Sequence, residues 1–232
     1  MRRIVLTAIL AATVGLSGCD MPDYVKAYFN KSTLPTNAAA GSFKGQVKVL
    51  FVEPKKPDDR DVQLLEPFGY RDSKGRDWDV PIGYVSDGAS IPWGLWTFIG
   101  GPYDGPYREA AIIHDYFCDK KDRTWEEVHL MFLEAALKRG VPESTAQTMY
   151  AGILYGGPRW PTPSPLKKAQ ITPTPGAGTT KVDPGITKRP VTQSEKQQFE
   201  DIKAWIEREK PTPEQIMKRM EELRKAKGLP TK

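Results

Sequence analysis

Between Val80 and Cys118 the hydrophobic pattern of this chain changes period, and that change limits what the chain can fold into. The stretch reads VPIGYVSDGASIPWGLWTFIGGPYDGPYREAAIIHDYFC. Ahead of it, Val47, Val49 and Phe51 alternate with Lys48 and Leu50, the period of two expected of a strand over Gln46 to Val52, which Pro54 and Pro57 end. Towards its end, Ala110, Ile113, His114 and Phe117 stand at i, i+3, i+4 and i+7 and so share one buried helical face, with Asp115 roughly 100° round from His114. Sheet first and helices afterwards is the order of an α+β domain.

The neighbouring segments fit that order. Val62 to Glu66 and Tyr70 to Asp72 read as strands, and Asp72-Ser73-Lys74-Gly75 has the residues a tight turn needs before Arg76 to Val80 returns. Pro81 to Val85 continues the sheet edge, where proline is tolerated. The expectation is therefore one small antiparallel sheet over residues 46–85. Three helices follow. The first starts near Tyr107. The second starts at the Thr124/Glu127 capping box and ends at Gly140, with Val128, Phe132 and Ala135 as its stripe and His129 at the margin. The third runs from Pro142 to about Tyr155.

After Pro158 the composition turns to proline, threonine, glycine and lysine, too poor in apolar residues to order itself, and a disordered linker is expected. Thr192 with Glu195, and Thr212 with Gln215, start two amphipathic helices, Glu195 to Glu209 and Pro213 to Lys227. Their narrow stripes (Phe199, Ile202, Ile206; Ile216, Met217, Met220, Leu223) predict pairing with each other, with the domain or with a partner. The expected organisation is a leader over 1–18, a tether over 19–42, the domain over 43–158, the linker over 159–191 and the helical pair over 192–232.

The leader decides the compartment. Arg2 and Arg3 precede an apolar run from Ile4 to Val14, long enough for secretion and too short for a stable membrane span. Leu16-Ser17-Gly18-Cys19 then resembles the lipobox of bacterial lipoproteins, which implies cleavage before Cys19 and acylation of its thiol and amine, an anchor into membrane lipid. Asp20 resembles the retention signal of enteric lipoproteins and implies the periplasmic face of the inner membrane. With Cys19 acylated, Cys118 is the one thiol left, so no intramolecular disulfide is expected and the thiol should be buried or reactive. The net charge of +5 falls to +3 without Arg2 and Arg3, too little to argue for nucleic acid.

The candidate site lies inside the opening stretch. His114 and His129 are the only two histidines in the sequence, and they fall on adjacent helices. His114 is followed by Asp115 and preceded by a loop with Asp87, Asp104 and the glycines 88, 100, 101 and 105, which allow backbone to approach a ligand.

Val80, Pro81, Gly83, Tyr84, Ser86-Asp87-Gly88-Ala89-Ser90, Pro92, Ala110, Ala111, His114, Asp115 and Phe132 together resemble the pattern of a bacterial and phage family catalogued as domain of unknown function thirteen fifty-three. The resemblance runs from about Leu65 to Tyr155, and no activity comes with it. A fainter similarity, to the His-Asp helix of secreted phospholipases A2, implies His114 as general base, Asp115 as calcium ligand and the Gly100 to Gly105 loop as carbonyl donor. Where the unknown-function pattern has an aspartate, three residues before Phe132, this chain has His129, which cannot be an anionic partner for an imidazolium. Asp87 is left for that place.

Two other readings stand beside a calcium-dependent hydrolase. His114, Cys118 and His129, with an aspartate as fourth ligand, form a set suited to zinc. Alternatively Asp87 to Ser90 and His114-Asp115 form a buried polar network that fixes sheet to helices. The protein is then a binding or structural module of the envelope, a prophage product in one version, with Trp93, Trp96, Tyr103 and Tyr107 facing an envelope protein or peptidoglycan.

Overall fold

The computed structural model describes residues 41–54, 61–87, 105–161 and 192–229, and the element order is strands followed by helices, an α+β architecture. Six strands come first: β1 (Ser42–Lys44), β2 (Val49–Phe51), β3 (Val62–Leu64), β4 (Phe68–Arg71), β5 (Asp77–Val80) and β6 (Val85–Ser86). They form two antiparallel three-stranded sheets, ordered β1-β4-β5 and β2-β3-β6. One continuous sheet over 46–85 is thus corrected to two. Pro81, which has no N–H for the ladder, follows β5 directly. The chain then turns through Gly83 at φ +82°, and β6 pairs back onto β3 (Val62 with Ser86, Gln63 with Val85).

The first sheet shows the alternation that sets a core face. In β5, Trp78 and Val80 are buried while Asp77 and Asp79 are exposed, and the register puts Tyr70 opposite Trp78 and Phe68 opposite Val80. The β4–β5 turn is held by its own chemistry. Gly75 N–H donates to the Asp72 carbonyl at 2.9 Å with Gly75 at φ +76°, and the buried Asp72 carboxylate accepts from Lys74 N, Arg76 N, Arg76 Nε and Trp78 Nε1 at 2.7 to 3.0 Å.

The helices of the domain are α1 (Arg108–Lys120), α2 (Trp125–Lys138) and α3 (Glu143–Gly156). The Thr124/Glu127 capping box is present with both reciprocal bonds, and Gly140 at φ +86° follows the end of α2. The first sheet lies on α1 and α2. The Trp78 and Phe117 rings meet edge to face at 4.9 Å, and Tyr70 Oη reaches Glu134 on α2.

Both remaining helices begin at full capping boxes, α4 (Gln193–Glu209) at Thr192/Glu195 and α5 (Pro213–Ala226) at Thr212/Gln215. Both pack on α3, burying Phe199, Ile202, Ile206, Ile216, Met217 and Met220. Of Arg159 and Trp160, which the composition shift assigns to the linker, Trp160 is buried against the domain and Arg159 is half-buried with its side chain 5% exposed. The rest of that linker, from 162 to 191, lies outside the described residues, as do the leader and most of the tether. No helix among the described residues is long and apolar enough to cross a membrane.

Candidate functional site

α1 and α2 run side by side, and their histidines meet in the interface. Both imidazoles are fully buried, and His114 Nε2 lies 2.9 Å from His129 Nδ1. His129 is therefore not at the margin of its helix. The cause is long-range: the Trp160 ring stands edge-on over it at 6.4 Å, and Trp160 is pinned there by a 2.8 Å bond from its Nε1 to the Arg123 carbonyl. Trp125 on the same helix lies 5.5 Å from the His129 ring, and Phe132 stands edge-on to His114 at 5.6 Å.

Cys118 completes the cluster. Being one turn after His114, it places Sγ 3.7 Å from His114 Nδ1 and 3.6 Å from Nε2. One donor atom each from His114, Cys118 and His129 lies within 4.8 Å of the others. No carboxylate of the described residues joins that set, so the expected fourth aspartate is not among them.

The electrostatics follow from burial. Desolvation pushes His114 down to about 3. His129 is also held well below the usual imidazole range, by burial first and then by His114 and Arg159. The Pro158 backbone pulls the other way, yet His129 Nε2 reaches hydrogen-bond geometry with no partner among the described residues. Both rings are neutral at ordinary pH. Burial, then Asp115 and Asp119, push the Cys118 thiol well above its usual range.

The carboxylates sit elsewhere. Asp115 is buried and accepts a 2.6 Å bond from Ser86 Oγ, so the helix is fastened to the end of β6. Asp119 accepts from Tyr84 Oη at 3.0 Å, and the Tyr84 ring meets Tyr116 at 5.1 Å. Asp87 follows β6 and is exposed, with its charge felt at Cys118. Sequence reasoning singled out His114, Asp115, Cys118 and His129, but missed that Ser86 partners Asp115 and that Trp160 seals His129. The family-like pattern of residues 80–92 contains Ser86; no local signal marks Trp160. The rest of the expected site, with Gly88, Ala89, Ser90, Gly100, Gly101, Asp104, Trp93, Trp96 and Tyr103, lies outside the described residues, as does Cys19. Tyr107 is described and is a buried core residue, not part of a binding surface.

As chemistry, the cluster offers two neutral imidazoles and a thiol in an aromatic wall. A general base needs a partner for the imidazolium it becomes, and the group bonded to His114 is another imidazole.

Residues 62–153 match the model of the family described as "Protein of unknown function (DUF1353)". Two curated relatives, both from Sinorhizobium fredii (strain NBRC 101917 / NGR234), are similar to the chain. "Uncharacterized protein y4jT" is 40% identical over 119 residues, which is 51% of this chain and 35% of that protein. "Uncharacterized protein y4iH" is 35% identical over 156 residues, 67% of this chain and 62% of that protein. The chain thus spans about a third and about three fifths of the lengths of these relatives. No solved structure matches it.

Proposed function

From a chain whose residues 62–153 are a domain of this unknown-function family, we infer a lipid-anchored envelope protein that acts as a binding module, with the second sheet as its contact face. One observation supports that face above others. The exposed large hydrophobic residues among those described (Leu50, Phe51, Leu65, Ile82 and Val85) all belong to the second sheet or its flanks. Leu50 and Val85 stand on either side of Gln63 across the three strands, and Phe51 is 76% exposed on β2, which pairs only with β3 among the described residues. Successive strand residues point to opposite faces, so Leu50 and Val85 share one face while Phe51 lies on the other. Apolar side chains thus flank the β2 edge on both sides, the kind of edge a protein partner covers. Peptidoglycan, a polar polymer, fits it less well. The anchor rests on Leu16-Ser17-Gly18-Cys19 after the apolar leader.

The alternative, a calcium-dependent hydrolase with His114 as base and Asp115 as metal ligand, gains less support. Asp115 is engaged by Ser86, and His114 faces His129. A photo-crosslinking residue at position 51 in cells should give adducts with an envelope protein, whereas the same residue at Glu207 on α4 should not. Adducts with lipid alone would remove the protein-binding reading. Cys19→Ser should shift the protein out of the membrane fraction, and unaltered fractionation would remove the anchor.

A further inference from the structure

We propose that His114, Cys118 and His129 form a zinc-binding site that clamps α1 to α2, independently of what the module binds outside. In a tetrahedral centre, bonds of ~2.0–2.1 Å to nitrogen and ~2.3 Å to sulfur place two nitrogens roughly 3.3 Å apart and a nitrogen and a sulfur roughly 3.6 Å apart. His114 Nε2 and His129 Nδ1 are 2.9 Å apart, and Cys118 Sγ is 3.6 Å from that same Nε2. For the ion to enter, the two rings turn apart and the Cys118 side chain swings round to the Nε2 lone pair, because Sγ now lies almost equally far from both His114 nitrogens and off that lone pair's axis. Two imidazoles and a thiolate favour zinc over calcium or magnesium, which take oxygen ligands.

A plain hydrogen-bonded histidine pair accounts for less of what is seen. It explains the contact between the rings. It does not account for three donors from two helices converging on one point, where one atom each of His114, Cys118 and His129 lies within 4.8 Å of the others. With zinc on Nδ1, His129 Nε2 carries the proton and faces the Pro158 backbone, the kind of outer partner that orients metal-bound imidazoles generally. The charge balance also closes. Asp115 and Asp119, which disfavour a lone thiolate at Cys118, become favourable neighbours once a dication sits on the sulfur.

Binding releases a proton. The Sγ–H bond breaks, Sγ takes up the ion with its electron pair, and the proton leaves to solvent. The proton held between the two rings moves to the outer nitrogen of the ring that carries it, so each facing nitrogen offers a lone pair.

The test uses the full chain purified in detergent without chelator. Mass spectrometry of the metal should find about one zinc per chain. Cobalt added to chelator-stripped protein should give a thiolate-to-cobalt charge-transfer band at one equivalent. The band should persist in Cys19→Ser, where Cys118 is the sole thiol, and vanish in Cys118→Ala. Should Cys118→Ala not fold, His129→Asn should lower cobalt affinity at least tenfold while the band, where formed at high cobalt, remains. Zinc-free protein with no cobalt band overturns the site. So does a band that survives Cys118→Ala, or stoichiometric copper held in place of zinc.

Discussion

Ser86 Oγ donates to the buried Asp115 carboxylate at 2.6 Å, and that bond fastens the end of β6 to α1. Hydrogen bonds to charged groups are worth about 1.5–3 kcal/mol, and the cost of removing the donor includes leaving the anion less well solvated. Ser86→Ala should therefore lower unfolding stability by roughly that amount in urea titration, with the m-value unchanged. A loss within error would mean that solvent or other groups near Asp115 replace Ser86, and that the bond does not fasten the sheet.

Glu134 is a carboxylate inside an apolar helix, and three bonds explain it. It accepts from Tyr70 Oη at 2.8 Å and Ser73 N at 2.7 Å on one oxygen, and from Ser73 Oγ at 2.9 Å on the other. Gly41 lies against the same pair, where a β-carbon would collide with the Tyr70 hydroxyl. Glu134→Ala strands those donors, and should cost ~2–4 kcal/mol, more than Tyr70→Phe, which leaves the carboxylate its two bonds from Ser73. Chemical denaturation of the two variants checks the order. Gly41→Ala should behave like a weakened Glu134 variant, and an unchanged Gly41→Ala midpoint would contradict the close packing.

What was legible in the sequence was local. The three capping boxes join residues three apart, so Thr124/Glu127, Thr192/Glu195 and Thr212/Gln215 announce their helices directly. The Asp72 to Gly75 turn and the shared face of His114 and Phe117 are equally short-range. The split into two sheets was not legible, because β6 must reach back past β4 and β5 to find β3. Nor was the burial of His129, which depends on Trp160, thirty-one positions later and beyond the composition shift that suggests a linker. Helical periodicity alone put His129 at a margin; a distant aromatic ring moved it to the core.

Asp72 gives the fold a defined acid limb. Burial alone pushes its carboxyl up, but the bonds from Trp78 Nε1 and the Arg76 backbone N–H, with the Arg76 guanidinium, outweigh that and hold it below the usual carboxylate value. A carboxyl depressed in the folded state contributes stability that is complete above its unfolded value of ~3.9 and is lost as pH falls through the folded value. Asp72→Asn should thus be less stable than the parent at pH 7, and the gap should close as pH drops below about 4. Urea midpoints at pH 7, 5, 4 and 3 test this. A gap of constant size down to pH 3 would show that the amide fails for steric reasons and that the charge is not the source.

The C-terminal helices should unfold with the domain, not before it. α4 and α5 bury Ile206, Ile216 and Met220 completely, and their polar bonds to the domain are also interior: Tyr155 Oη donates to Glu195 at 2.9 Å, Gln147 Nε2 to the Pro211 carbonyl at 3.0 Å, and Arg224 to the Tyr155 carbonyl. Arg159 adds a 2.5 Å ion pair with Glu221 while lying over the Trp125 ring. A segment held this way has no low-energy route of detachment, because leaving would expose α3 and strand Gln147 and Arg159 together. Ile206→Ala should cost ~2–5 kcal/mol, a range typical of cavities in well-packed cores, and should move one cooperative transition as a whole. Amide exchange should show α3 and α4 protected to the same degree. If α4 and α5 exchanged freely while α1 to α3 stayed protected, the pair would be an appendage resting on the domain, and Ile206→Ala would leave the main transition in place.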